Sequence, residues 1–485
     1  MLTRLESREI RRRTRHADRG RAGARPRPDL PAGTDLLPQN RHIVVLMMEN
    51  HSYDNYLGML AGRGEGFPLG PDAAPAAANP RADGSVVRAH PLPSTTQVPH
   101  VPVQSWHAAH LQWNGGRNDG FVRSVQATVP AAPAVDAELP MGYWTERDLP
   151  FYYGLARTFP VADRWFCSCL GPTFPNRRFL LAGTAHGLID DLPFGMADYP
   201  PNGTVFDMLT GNGISWRNYH HVSSLSVLLK RALGGGGLAS VRRLASLGRW
   251  FPPLVTAVRG NKTFTADLYP FGLARCLLHL SSVDRFFAAA DAGTLPAFSL
   301  VDPDFIRFSE ENPQDIRKGE SYAAEVINRV MHGKGWPHTL LIWLYDEHGG
   351  YFDHVPPPEA VPPDDVPGKS LLAMPAWARA LLKPFFPQYL ASIANLDTGP
   401  VRYDRYGFRV PAVIVSPYAR PGYVASQVFD HASVLKLLEA KWNLPPLTKR
   451  DAAAAAPLDA LDLDAEPAFL IPPALPAPGM AWGSW

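Results

Sequence analysis

Two short, uninterrupted apolar runs constrain the fold of this chain more than any other feature. They occupy residues 43–48 and 340–345, the second within a predicted strand at residues 339–345, and each is bounded by polar residues. A strand that is apolar at every position has both faces buried, which is typical of a parallel sheet covered by helices. Weaker strand patterns at residues 297–302 and 410–415 alternate with helical patterns along the chain. The helical patterns cover residues 150–159, 320–332 and 433–441. We therefore predict an α/β fold with a mostly parallel central sheet.

Composition excludes several other classes of protein. The chain has 485 residues, of which 46% are hydrophobic and 19% are charged, so it can form a large core and is not a disordered chain. Its 50 Pro and 40 Gly favour a loop-rich, enzyme-like body over a helical bundle or a coiled coil. Nowhere do 18 apolar residues follow one another, which excludes a helical membrane span.

The distribution of these residues predicts one large catalytic domain at residues 41–450. A flexible Arg/Pro-rich leader at residues 1–40 precedes it, and an Ala/Pro-rich tail at residues 451–485 follows it. Leucine-rich, glycine-rich and basic stretches at residues 222–275 predict a cap-like insertion. The leader is strongly basic, but the apolar segment that an export signal needs does not follow its arginines. The default expectation is therefore a cytoplasmic protein, and no specific nucleic-acid partner is expected.

Polar residues follow both apolar runs at the point where each strand ends. Glu49 and Asn50 come after the first run, and Asp346 and Glu347 come after the other. Because the carboxyl ends of parallel strands meet at one edge of a sheet, these side chains should lie close together. Carboxylate and amide oxygens suit a divalent cation, although ordinary turns and caps use the same residues. Thr173, in a Gly-Pro turn before a helical pattern, adds a hydroxyl that such a cation would make a better nucleophile.

Together these residue types fit metal-assisted phosphoryl transfer. His186, His354 and His431 are candidates for phosphate donors or general acids, and structural hydrogen bonding is the alternative for each. Arg177 is a candidate phosphate clamp, with ion pairing as its alternative.

Several segments resemble, in the right order, the motifs of the bacterial phosphoesterase family. This family includes non-specific phospholipases C and certain acid phosphatases. The segments cover residues 42–58, 171–177, 339–358, 406–417 and 429–439. The resemblance spans residues 41–443 and implies an alkaline-phosphatase-like α/β/α sandwich that hydrolyses phosphoric esters.

The resemblance also implies roles for the residues at the strand ends. Glu49, Asn50, Asp346 and Glu347 match the ligands of a divalent metal ion, whose identity the sequence leaves open. Thr173 matches the nucleophile and would also be a ligand. Because this residue is Thr in phospholipase-like members, we expect a phospholipase C-like phosphodiesterase that acts on a phosphate ester, such as a phospholipid, through a phosphothreonine intermediate. An acid-phosphatase-type phosphomonoesterase is the first alternative, and a catalytically weakened phosphate-binding protein is the second.

Further motif positions complete the predicted site. Catalytic roles are predicted for Thr173, His186, His348 and His354, and substrate binding for Asn176, Arg177, Asn312 and His431. One departure matters: Asn312 stands where family members usually carry a His within an Asp-His-Pro segment. An Asn side chain can donate a hydrogen bond to phosphate, but it cannot act as a general acid.

Overall fold

The computed structural model of the chain describes residues 24–99, 101–129, 136–191, 199–221, 277–366, 368 and 402–484. The strands are β1 (His42–Met48), β2 (Ala78–Pro80), β3 (Val86–Arg88), β4 (His90–Pro91), β5 (Gly142–Tyr143), β6 (Trp216–His220), β7 (Leu280–Ser282), β8 (Phe298–Val301), β9 (Thr339–Tyr345) and β10 (Ala412–Val415). The α-helices are α1 (Tyr53–Leu57), α2 (Trp106–Trp113), α3 (Phe121–Thr128), α4 (Pro150–Thr158), α5 (Thr173–Ala182), α6 (Val205–Gly211), α7 (Val283–Ala292), α8 (Ile316–His332), α9 (Ala432–Trp442) and α10 (Lys449–Ala453).

A six-stranded sheet with the order β10-β9-β1-β8-β6-β7 forms the centre of the molecule. Its strands are parallel, except that β10 runs antiparallel to β9. Every residue of β8, β9 and β10 is buried, because helices and loops cover both faces of the sheet. The predicted α/β fold with a mostly parallel sheet is therefore confirmed.

The register of the two central strands brings the predicted ligand pairs together. Met48 at the end of β1 lies opposite Tyr345 at the end of β9. The chain therefore leaves the sheet side by side at Glu49 and at Asp346, on the edge formed by the carboxyl ends of the strands. Open α/β sheets place their binding sites at this edge.

The outer edge of β10 is covered by an irregular segment, residues 160–162. Ala162 N donates to the carbonyl of Ala412 at 2.9 Å, and Ile414 N donates to the carbonyl of Pro160 at 3.0 Å. The segment is held in turn by Ala425, whose N–H donates to the carbonyl of Val161 at 2.9 Å.

The segments at the two ends of the described chain pack against the domain. Residues 24–40, placed by the sequence in the flexible leader, lie against α9, where Gly33 N donates to the carbonyl of Trp442 at 2.8 Å. In the C-terminal segment the ring of Trp482 lies 5.1 Å from that of Phe308. The predicted cap at residues 222–275 lies outside the described residues, and the proposed domain boundaries remain a prediction. None of the helices in the described part of the chain is long and apolar enough to cross a membrane.

Candidate functional site

The four predicted metal ligands and the predicted nucleophile converge at the carboxyl edge of the sheet. All five side chains are buried, with Thr173 the most exposed at 6%. The terminal amide atom of Asn50 that faces the carboxylates lies 2.7 Å from Glu347 Oε1 and 3.1 Å from Asp346 Oδ1. The same terminal amide atom lies 3.3 Å from the hydroxyl of Thr173. The structure therefore brings these five side chains together, and their roles as ligands and nucleophile remain a prediction.

An unusual backbone conformation brings Asn50 into the cluster. Its φ is 71°, in the left-handed region that Asn tolerates better than most residues. Its N–H donates to Asp346 Oδ1 at 3.2 Å. Gly349 packs directly against it, because a Cβ at that position would lie 2.0 Å from the carbonyl oxygen of Asn50. The two strand ends can approach this closely only with glycine at position 349.

Thr173 is the first residue of α5, and its turn is fixed by Asn176. Asn176 Nδ2 donates to the carbonyls of Gly171 at 2.9 Å and Pro172 at 3.0 Å. In this arrangement the Asn176 amide holds the turn that precedes Thr173. At the same helix end, Phe174 N donates to Asp191 Oδ1 at 2.9 Å.

Arg177 extends from α5 into the carboxylates at the strand ends. Its Nε donates to Asp346 Oδ2 at 2.9 Å and its Nη1 to Asp302 Oδ1 at 3.0 Å. Its Nη2 lies 3.8 Å from Glu49 Oε1 and donates to the carbonyl of Met48 at 3.2 Å. The guanidinium, which the sequence predicted to bind substrate, is here a counter-charge that joins three strand ends.

The carboxylates hold more negative charge than this arginine offsets. Burial raises the pKa of Glu347 and Asp346 above the usual range for carboxyl groups. Burial and the neighbouring charge of Glu311 raise the pKa of Glu49 in the same way. Glu49 Oε2 is buried and has no hydrogen-bond partner among the described residues. An unpartnered carboxylate oxygen within a set of hard oxygen donors fits a divalent cation.

A second acidic cluster contains Asp54, Asp353 and His354, whose potential ligand atoms lie within 4.8 Å of one another. Arg409, itself buried, donates to Asp353 Oδ1 at 2.9 Å and to Asp54 Oδ1 at 3.1 Å. His354 Nδ1 lies 2.7 Å from Asp54 Oδ2. Because a guanidinium already occupies this cluster, its charge is compensated within the protein. A divalent cation therefore fits the Glu49 cluster better.

Two of the predicted histidines contact the ligands. His431 Nδ1 accepts from Trp165 Nε1 at 3.4 Å, so its Nε2–H donates to the carbonyl of Asp346 at 2.6 Å. His348 Nδ1 lies 3.2 Å from Glu347 Oε2, and its Nε2 lies 2.7 Å from Gln112 Oε1. Burial lowers the pKa of His431 to about 4 and that of His348 to about 3. Both rings are therefore neutral near pH 7. His431 fixes the backbone at Asp346, whereas His348 Nδ1 lies beside Glu347 without a hydrogen-bond partner among the described residues.

The structure places the remaining predicted residues in loops. His186 lies in the loop after α5 with a φ of 51°, and its N–H donates to Thr184 Oγ1 at 2.8 Å. Asn312 Nδ2 donates to the carbonyl of Val98 at 3.0 Å and also to that of Val101. Its amide therefore joins two loops, and its predicted contact with substrate remains a prediction.

Three acidic residues near the cluster were not predicted as site residues. Asp302 follows β8 and binds Arg177, and its position directly after a strand pattern was the available signal. Asp191 caps α5, and Glu311 lies close enough to raise the pKa of both Glu49 and Asp191. The sequence carries no local signal for these two, because their positions depend on the folding of distant loops.

Comparisons with known proteins give a family match and several relatives. A family model described as "Phosphoesterase family" matches residues 40–445. Phospholipase C A of Mycobacterium tuberculosis is 30% identical over 433 residues, which cover 83% of this chain and 73% of that protein. Phospholipase C B of the same organism is 31% identical over 438 residues, with the same coverage. Non-specific phospholipase C6 of Arabidopsis thaliana is 26% identical over 449 residues, covering 85% of this chain and 70% of that protein.

Proposed function

We propose a phospholipase C-like reaction for this chain, which belongs to the phosphoesterase family and is a hydrolase of phosphoric esters. In this reaction the enzyme cleaves a phosphodiester of the phospholipid type through a phosphothreonine at Thr173. The observation that carries the proposal is the position of the Thr173 hydroxyl, 3.3 Å from the Asn50 amide that also touches both carboxylates of the Asp346–Glu347 pair. The printed names of the relatives, which are phospholipases C, support the choice of substrate.

Glu49, Asn50, Asp346, Glu347 and Thr173 are the residues that would hold a divalent cation. When bound, such a cation supplies Lewis acidity, which favours the alkoxide form of a neighbouring hydroxyl and offsets charge on phosphate oxygens. The protein contributes the positions of the donors. Arg177 holds the Asp346 carboxylate in place, and His431 holds the Asp346 backbone, through the contacts described above.

In the first step, Thr173 Oγ1 attacks phosphorus in line with the bond to the leaving alcohol. The new Oγ1–P bond forms as the P–O bond to that alcohol breaks, and the hydroxyl proton passes to the carboxylate cluster. The departing oxygen takes a proton from a general acid. Water then attacks the phosphothreonine, breaks the Oγ1–P bond and restores the hydroxyl.

Among His348, His354 and His431, we assign the general acid to His354. Burial by itself lowers the pKa of His354. The hydrogen bond and the charge of Asp54 outweigh burial and raise this pKa above its ordinary value. The neutral rings of His348 and His431 have no such proton to give near pH 7. After the first step, the neutral His354 can accept a proton from the attacking water.

Replacing the nucleophile tests the mechanism. We expect Thr173→Ala to lose about three orders of magnitude or more in kcat, and Thr173→Ser to retain part of it, because only the latter keeps a hydroxyl. Thr339→Ala is the matched control, since Thr339 is a buried threonine at the opposite end of β9 from Asp346. Each variant is checked for folding by circular dichroism and for bound metal by elemental analysis. A folded, metal-loaded Thr173→Ala enzyme with full activity would contradict the proposal.

Two artificial substrates test the substrate class. The proposal predicts faster turnover of p-nitrophenyl phosphocholine, a diester, than of p-nitrophenyl phosphate, a monoester. The reverse preference would identify the enzyme as an acid-phosphatase-type phosphomonoesterase.

A series of leaving groups tests the general acid. His354→Gln should slow diesters with alkyl leaving groups more than p-nitrophenyl diesters, since a good leaving group needs little protonation. Equal losses across the series would remove His354 from that role.

A further inference from the structure

One buried carboxylate, Glu310, takes no part in the proposed reaction although it is fully surrounded by hydrogen-bond donors. Its side chain is 0% exposed. Tyr152 donates to its Oε1 at 2.6 Å, and Tyr56 donates to its Oε2 at 2.9 Å. The hydroxyl of Tyr345 bonds to the same Oε2. Three phenol donors on one buried carboxyl group form a polar cluster in which every group has a hydrogen-bond partner. We call Glu310 with Tyr56, Tyr152 and Tyr345 the tyrosine hub.

Glu310 is connected to both pairs of proposed metal ligands, to one through its side chain in the tyrosine hub and to the other through the backbone of its loop. Tyr345 directly precedes Asp346, so its bond to Glu310 fixes the end of β9. His51 directly follows Asn50, and its Nε2 lies 3.0 Å from the carbonyl oxygen of Glu310. On the other side of Glu310, the carbonyl of Ser309 accepts a hydrogen bond from Glu49 N at 3.1 Å. One short loop therefore holds both strand ends.

The backbone of Glu310 shows that this arrangement is strongly determined. Its φ is 79°, a left-handed conformation that is strained for a residue with a side chain and persists only where the surroundings enforce it. The surroundings include Gly319 of α8, where a Cβ would lie 2.0 Å from Glu310 Cγ. The fold therefore accepts a strained backbone at Glu310 and a glycine within α8 in order to hold the Glu310 side chain in this position.

We propose that Glu310 is a positioning residue, which holds the Glu49–Asn50 pair and the Asp346–Glu347 pair at the spacing that a cation needs. The inference rests on the proposed function, because it assumes that those four residues bind the cation. Groups that orient metal ligands without touching the metal commonly contribute 10–100-fold to metal affinity or activity. Glu310 reaches one pair through Tyr345 and the other through His51 and Ser309.

The test measures cation affinity directly, by calorimetric titration of the metal-free protein with Mn²⁺ and with Ca²⁺. We expect Tyr345→Phe and Glu310→Ala to weaken binding by about 10–100-fold. Glu310→Gln should stay close to the wild type, because an amide can still accept from and donate to the tyrosines. Tyr152→Phe is the matched control: it removes a hydroxyl from the same carboxyl group, but its helix, α4, carries no ligand.

The outcomes separate this inference from the proposed function. If the wild type binds a cation and Tyr345→Phe binds it equally well, the positioning role of the hub is wrong and the metal site stands. If the wild type binds neither cation, both the metal site and the role of the hub are wrong. If Glu310→Ala fails to fold, the cation affinities of Tyr345→Phe and Tyr152→Phe still decide whether the positioning role is right. Each of these two variants loses only one oxygen atom and is therefore expected to fold.

Discussion

The close packing of Gly319 against Glu310 gives a prediction in which two physical effects oppose each other. Gly319 lies in the first turns of α8, where replacement by Ala normally stabilises a helix by about 1 kcal/mol. Here the added Cβ would lie 2.0 Å from Glu310 Cγ and 2.4 Å from its Oε1, well inside van der Waals contact. The carboxyl group cannot move away without breaking its bonds to the three tyrosines.

The cost of this clash outweighs the gain in helix propensity. Overfilling a packed core typically costs about 1–3 kcal/mol. Subtracting the helical gain leaves a net loss of about 0–2 kcal/mol for Gly319→Ala, whereas helix propensity alone predicts a gain. In a Glu310→Ala background the clash is absent, and the same substitution should stabilise the protein by about 1 kcal/mol.

Urea denaturation of the wild type, the two single variants and the double variant measures this coupling. We expect a coupling free energy of about 1–3 kcal/mol, of the sign that makes Gly319→Ala less harmful when Glu310 is truncated. A Gly319→Ala protein that is more stable than the wild type, or additive effects in the double variant, would refute the packing argument.

Two further predictions concern charge. Burial raises the pKa of Glu310 to about 8 from an ordinary value of 4.5, so the folded protein holds a proton that the unfolded chain releases. The contribution of Glu310 to the stability of the metal-free protein should therefore fall as pH rises from about 4.5 to 8 and level off above pH 8. Urea denaturation of the wild type and of Glu310→Gln at pH 5, 7 and 9 measures this, and the difference in their free energies of unfolding should shift in favour of the Gln variant as pH rises. A difference that stays constant with pH would contradict this sign. Elemental analysis should find no bound metal in Asp346→Asn but bound metal in Asp54→Asn, because Arg409 already compensates the charge of the Asp54 cluster. The opposite result would place the metal in the cluster of Asp54, Asp353 and His354.

Much of the candidate site could be predicted because its residues stand at the ends of strongly patterned strands. β1 and β9 are apolar at nearly every position, so their bounds and burial follow from the sequence. Glu49, Asn50, Asp346 and Glu347 then follow from the rule that places polar residues at carboxyl strand ends. The Gly-Pro turn before Thr173 likewise indicated the start of α5.

Elements with weak patterns could not be predicted in this way. β6 reads Trp-Arg-Asn-Tyr-His, and its buried Asn218 is explained by partners distant in the chain, such as Asp302, to which its Nδ2 donates at 2.9 Å. The direction of β10 was also not predictable, because a short apolar run looks the same in a parallel and an antiparallel strand.

The roles of individual side chains were harder still to predict. Arg177 looks like a phosphate clamp from its motif position, but the folded chain places it among carboxylates from three strands. Glu310 lies in a polar stretch typical of an exposed loop, and its partner Tyr152 is 158 residues away in the chain. Such contacts depend on tertiary structure, which local sequence does not encode.

The covering of β10 by residues 160–162 has a consequence for self-association. An exposed edge strand offers unpaired N–H and carbonyl groups to another chain, and the sequence Ala-Val-Ile-Val of β10 combines high β-propensity with no charge. Because Pro160 and Ala162 occupy those groups, the strand is not available for pairing between molecules. Substitutions that loosen residues 160–162 should therefore promote aggregation at concentrations where the wild type stays dispersed, even if the hydrolytic site is untouched.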